Sequence, residues 1–235
     1  MTERNILIVG GSQAIGLELA KDLVAGGDTV YLTSRDQAKA DAVAASIGPK
    51  AHGIAVDITE PETIAGALKD LPKLDGVVIA AVDRDANTVR DYSIERAKKL
   101  VVLKLVGYTE IIHTLLDRLE PSVDTSIVLF GGRAKDLPYP GSMTVSSING
   151  GVVGMVNTLA LELAPIRVNA IHPGIIGDSP FWMDKPEGVL EGWEQHTPGG
   201  KLATMADVVG AARFLLDNRG MSGQQIYVDR GYHLM

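Results

Sequence analysis

The chain has 235 residues, 46% of them hydrophobic, no cysteine and a formal net charge of −7 at pH 7. Without cysteine there are no disulfides, thiolate metal sites or thiol nucleophiles, and the acidic balance argues against nucleic acid as a partner. The length suits one well-filled α/β domain.

The first residues, MTERNILIVGG, enter a strand almost at once, with neither the basic segment nor the long apolar core of a signal peptide. No apolar run approaches the roughly 20 residues a membrane span needs. A cytoplasmic protein without a membrane partner is expected. The five histidines show neither HxxxH nor HxxE spacing, so no metal site is expected.

The first strand, NILIVG (5–10), runs into GGSQAIGLELA, where Ile15, Leu19 and Leu23 recur at a helical step. Gly10 and Gly16 bracket a tight turn. A turn after the first strand and at a helix N-terminus suits a dinucleotide pyrophosphate, which backbone N–H groups and the helix dipole would hold. Gly10, Ser12, Gln13 and Ile15 are the candidates there. The second strand, DTVYLT (28–33), ends at Ser34 and Arg35. A carboxylate at that tip would accept from the adenosine ribose 2′-OH, whereas a neutral residue followed by arginine admits a 2′-phosphate. NADP(H) is therefore expected over NAD(H), the alternative being an arginine that is merely on the surface. After the third strand, AHGIAV (51–56), Asp57 and Ile58 are candidates for the adenine end. Asp57 can equally cap the helix that begins ITEPETI.

The fourth strand, DGVVIAA (75–81), places Ala80 and Ala81 beside the glycine turn. A helical stretch over 91–119 follows, whose RAKK cluster (96–99) reads as a solvated face. The fifth strand, TSIVLF (125–130), leads into GGRAKD. A long helix, MTVSSINGGVVGMVNTLALEL (143–163), comes next, and no charged side chain lies between Asp136 and Glu162. The sixth strand, IRVNAI (166–171), precedes Ile175 and Ile176, which are candidates for the cofactor. Residues 174–200 are the least regular segment and hold both tryptophans, as expected of a substrate lid. QQIYV (224–228) is the seventh strand. Continuous apolar strands alternating with helices predict an α/β fold, a parallel seven-stranded sheet with helices on both faces, as one domain over 1–235.

The glycine turn at 10–16, VDIT (56–59), LALELAPIRVNAIHPG (159–174) and SGQQIYVDRG (222–231) together resemble the short-chain dehydrogenase/reductase family over nearly the whole chain. The resemblance implies a Rossmann-like, doubly wound fold, a nicotinamide cofactor, a small-molecule substrate, and a homodimer or homotetramer built through the helices at 91–119 and 143–164. It also implies a catalytic tyrosine, a lysine four residues later, a serine and an asparagine. At those positions this chain has Val145, Asn149, Gly132 and Lys104, and no YxxxK occurs anywhere. IAAV (79–82) stands where the family carries Asn-Asn-Ala-Gly, and Ala14 replaces the middle glycine of the turn. A lone tyrosine near pKa ~10 is a poor donor at neutral pH.

Three side chains are candidates to replace the missing set. Arg133 can polarise a carbonyl or hold an anion, or else pair with Asp136 on an exposed loop. Lys104, in LVVLKLVG, is expected to be partly buried with a lowered pKa, or to form an ion pair at a subunit interface. Tyr139 faces the substrate or packs within its loop. Ser146, Ser147 and Asn149 can bond a cofactor ribose or close polar gaps, Asp178 can contact the cofactor or cap a loop, and His172 reads as structural. Three functions remain open: an NADP(H)-dependent oxidoreductase acting on a small carbonyl or alcohol with relocated proton chemistry, a non-redox isomerase or cyclase, and a catalytically silent NADP(H)-binding protein.

Overall fold

In the computed structural model, which describes residues 3–234, the first strand (β1, Asn5–Val9) already sets the architecture. Ile6, Leu7, Ile8 and Val9 are all buried, so the strand has no wet face and needs helices above and below it. The remaining elements follow in alternation: α1 (Ala14–Ala25), β2 (Thr29–Ser34), α2 (Gln37–Ile47), β3 (Ala51–Ala55), α3 (Ile64–Leu68), β4 (Gly76–Ile79), α4 (Ile94–Val101), α5 (Tyr108–Leu115), β5 (Ser126–Phe130), α6 (Met143–Glu162), β6 (Arg167–Pro173), α7 (Pro180–Met183), α8 (Val189–Gln195), α9 (Met205–Asp217) and β7 (Gln225–Val228). All seven strands pair in parallel, in the order β3-β2-β1-β4-β5-β6-β7. This is the expected seven-stranded, doubly wound sheet.

Strand order reverses between β1 and β4, and the crevice at the carboxyl ends there is where such sheets bind ligands. Two cores flank the sheet. One packs Leu7, Val77, Ile127 and Val168 against α3, α5 and α6; the other packs Ile6, Ile8, Val30 and Val128 against α1 and α9. Among the described residues, no helix is long and apolar enough to cross a membrane.

Two departures from the sequence reading bear on the site. The stretch expected as one helix over 91–119 is interrupted by a π-helical segment, Val102–Gly107, between α4 and α5. Its wider turn rotates Lys104 into the interior, and such bulges often mark functional sites. The irregular segment 174–200 contains two short helices, α7 and α8, the second entered through Gly188 at φ +87°.

Candidate active site

The glycine turn is built for close approach. Gly10 has φ +84°, and a Cβ there would lie 2.7 Å from the backbone of Ala81. A Cβ on Gly16 would stand 2.2 Å from the Gly10 carbonyl oxygen, so the helix can meet the strand only without a side chain. Ala14 adopts φ +47°, left-handed backbone that disfavours any residue with a Cβ. Gln13 enters α1 in extended conformation without a side-chain cap, leaving the first-turn N–H groups open to an anion. Ser12 is buried and Ile15 half-buried beside them. These residues fit a dinucleotide.

At the adenosine end, Ser34 is buried while Arg35 is exposed and has no ion-pair partner among the described residues. The carboxylate next to it, Asp36, is occupied: it caps α2 by accepting from the Lys39 N–H at 2.7 Å. Lys39 then reaches back to Gln13 Oε1 at 3.4 Å, bringing a second cation to the turn. Sequence reasoning missed Lys39, although its one-turn spacing from Arg35 was legible. Asp57 closes its own turn, accepting from the Thr59 N–H at 2.9 Å and hydroxyl at 2.7 Å, and caps no helix: the next one is entered through Glu60 without a side-chain cap. Ile58 is buried behind it. Ala80 and Ala81 lie at the end of β4, where the Ala80 N–H donates to Val9 O at 2.9 Å. Ile176 is buried and bridges to Ala203, with Ile175 half-buried before it.

The four positions that the resemblance assigns to catalysis lie around the ends of β4 and β5. A Cβ on Gly132 would lie 2.7 Å from the Asn149 amide nitrogen, so Asn149 occupies the room a serine side chain would take. Asn149 is buried, and its amide bonds to no described residue. Val145 is half-buried one turn earlier on α6. Ser142 Oγ lies 2.9 Å from Ser146 Oγ, and Ser147 donates to the Met143 carbonyl, so these hydroxyls are satisfied within the helix and its entry.

Lys104 is 2% exposed, and its Nζ has one partner, the Tyr108 hydroxyl at 3.2 Å. Tyr108 in turn donates to Ala81 O at 2.8 Å, with Phe130 O at 3.4 Å. No carboxylate faces the amine among the described residues, and burial lowers its pKa to about 7. Burial likewise raises the Tyr108 pKa, so that hydroxyl stays a neutral donor. The amine therefore sits inside the chain and not at a surface where a second subunit can supply a counter-ion, which corrects that alternative. Sequence reasoning also missed Tyr108. KLVGY carries the spacing of YxxxK in reverse, and only the structure reveals that the two side chains meet.

Arg133 differs from its expected exposed setting. It is 8% exposed, donates to Asp136 Oδ2 at 2.7 Å, lies 2.9 Å from Asp229 Oδ2 and rests over the Tyr227 ring at 4.1 Å. The Asp229 contact has ion-pair distance without hydrogen-bond alignment. Tyr139 is 52% exposed on its loop, its N–H donating to Ser142 Oγ at 3.0 Å. His172 is structural, as read: Nδ1 accepts from the Gly132 N–H at 3.1 Å, Nε2 lies 2.7 Å from Gln225 Oε1, and burial lowers its pKa. Asp178 accepts from the Met205 N–H at 2.8 Å, at the start of α9.

Comparison with known proteins agrees with this geometry. Carbonyl reductase family member 4 of Danio rerio is 29% identical, covering 99% of each chain. The 3-oxoacyl-(acyl-carrier-protein) reductase FabG of Aquifex aeolicus (strain VF5) is 28% identical, covering 96% of this chain and 95% of its own. Among solved structures, a 3-ketoacyl-(acyl-carrier-protein) reductase from Brucella melitensis, complexed with NADH, superposes with a TM-score of 0.85 at 25% identity over 98% of each chain. Residues 9–233 match the family model described as enoyl-(acyl carrier protein) reductase, and with that match the chain belongs to the short-chain dehydrogenase/reductase family.

Proposed function

We propose that the protein is an NADP(H)-dependent oxidoreductase acting on a small carbonyl or alcohol, with a non-standard active site. One observation carries the choice of NADP(H). Arg35 stands exposed and unpaired at the adenosine end while the adjacent carboxylate, Asp36, is committed to the α2 cap. Lys39 adds positive charge beside it. A 2′-phosphate is attractive beside these two cations. Titration of the protein with NADPH and NADH tests this: Arg35→Ala should weaken NADPH by about 1–3 kcal/mol and leave NADH unchanged. Equal losses for both would defeat the assignment.

The bound nicotinamide would supply the hydride, and the chain must manage the proton. Lys104 is the leading donor because its amine has one partner and a pKa near neutrality, so a population of ammonium is available to a carbonyl oxygen. Tyr108 positions it by accepting from Nζ while anchored on Ala81 O. Tyr139, exposed at the mouth, is the second source of a proton. Arg133 is committed to its two carboxylates and acts through the loop it holds. The contact between Gly132 and Asn149 supports a second reading, in which the pocket is used without net redox change: the Asn149 amide, and no serine hydroxyl, stands where the family orients a substrate oxygen. Product formation without NADPH oxidation would select that reading, and cofactor binding without any turnover would select a silent binding protein.

The same reading includes a cytoplasmic homodimer or homotetramer. The outward positions of α6, Met143, Ser147, Gly150, Gly154 and Leu161, are exposed and uncharged, as are Val101, Val106 and Leu116 along α4–α5. Such a stripe suits helix packing against a second copy.

A further inference from the structure

Loops leave the carboxyl ends of β4 and β6, and one side chain joins them. Arg84, after β4, has its guanidinium carbon 3.3 Å from the centre of the Phe181 ring in α7, which follows β6. Lys185 Nζ lies 4.1 Å from the centre of the same ring. Phe181 is also the first of a chain of edge-on aromatics, through Trp182 at 5.2 Å and Trp193 at 6.1 Å to Tyr232 at 5.4 Å, which ties the whole segment together.

The chain carries 29 acidic residues, yet neither Arg84 nor Lys185 has an ion-pair partner among the described residues. Of the acids flanking Arg84, Asp83 lies 3.1 Å from Lys99, and Asp85, its side chain buried with neither carboxylate oxygen hydrogen-bonded, lies 3.5 Å from Arg96. Two cations held on one ring without a carboxylate repel each other, and an anion placed beside them relieves both. We propose that Arg84 and Lys185 form the anion-recognising mouth of the substrate cleft, so that the substrate carries a carboxylate or phosphate away from its reacting carbonyl. The proposal rests on the oxidoreductase reading above and names the substrate class.

The two tryptophans of the chain, Trp182 and Trp193, lie in this segment and report binding without turnover. The experiment titrates the protein, with and without NADPH, with two matched pairs: 4-oxopentanoate against 4-oxopentanamide, and dihydroxyacetone phosphate against dihydroxyacetone. The charged member of at least one pair should bind about tenfold more tightly, the scale of one charge-assisted contact, and salt should erode the difference. Whichever pair shows it names the anionic group. Arg84→Ala should lose about tenfold for that anion alone, Arg84→Lys should recover part of it, and far-UV circular dichroism should be unchanged. Equal binding of charged and neutral members, no anion-dependent fluorescence change in the wild type, or wild-type anion affinity in Arg84→Ala would each overturn the proposal. A protein that discriminates anions but never oxidises NADPH would sink the oxidoreductase reading and leave the mouth standing.

Discussion

Replacing Lys104 with methionine should make the protein more stable at neutral pH. The amine is fully buried, its only partner is a neutral hydroxyl, and its pKa falls from the usual value near ~10.4 to about 7. Between those two values the unfolded chain is protonated and the folded chain is not, so folding releases a proton. Stability from this group is complete above about pH 10 and is lost as the pH falls towards 7. Each pH unit within the window is worth about 1.4 kcal/mol, which gives about 2.5 kcal/mol between pH 7.5 and 9.5. With an m-value of about 3 kcal/mol/M, the wild-type urea midpoint should rise by about 0.8 M over that range. The Lys104→Met midpoint should rise by that much less and exceed the wild type at pH 7.5, at one fixed protein concentration. A wild-type midpoint as flat as the variant's, or a variant that is weaker at pH 7.5, would mean that the amine has a counter-ion and would refute the reasoning. The same amine as proton donor predicts turnover that declines as the pH rises through about 7.

Ala14→Gly should raise stability by about 1 kcal/mol, because relief of left-handed alanine at φ +47° outweighs the added freedom of the unfolded chain; an unchanged or lower urea midpoint would contradict this. Arg133→Ala should lower stability by about 2–4 kcal/mol, since Asp229, with a side chain 2% exposed, loses its main counter-charge, and thermal unfolding with intact NADPH affinity is the check. Restoring Val145→Tyr together with Asn149→Lys should leave ketone reduction within about tenfold of the wild type, because groups that act as a unit do not contribute separately. Rates several hundredfold higher in an NADPH-oxidation assay would mean that only the acid was missing.

The sheet was legible because strands buried on both faces must be written almost wholly in apolar residues, and NILIV or SIVLF admits little else. The cofactor turn was legible for a similar reason: at Gly10 and Gly16 the backbone of another segment fills the place of a Cβ, and that need appears in the sequence as glycine. Charge pairing was not legible. Arg133 meets Asp229, 96 positions further along the chain, and nothing local distinguishes that arginine from one facing substrate. Lys104 and Tyr108 were hidden for another reason. A helical period of 3.6 gives no notice of the π segment that turns the lysine inward, and a lysine within an apolar run reads equally as a surface charge. Arg84 and Phe181 belong to separate loops, whose approach depends on the folded sheet between them.

The contact between Gly132 and Asn149 couples the two positions, so that a change at one alters what a change at the other costs. A serine at 132 collides with the Asn149 amide at 2.7 Å unless that side chain has first moved or been replaced. A change at 149 made first meets no such barrier. A one-step survey that tries serine against the present background therefore carries the cost of moving Asn149, while the same serine is freed of that cost in a lineage that altered 149 earlier.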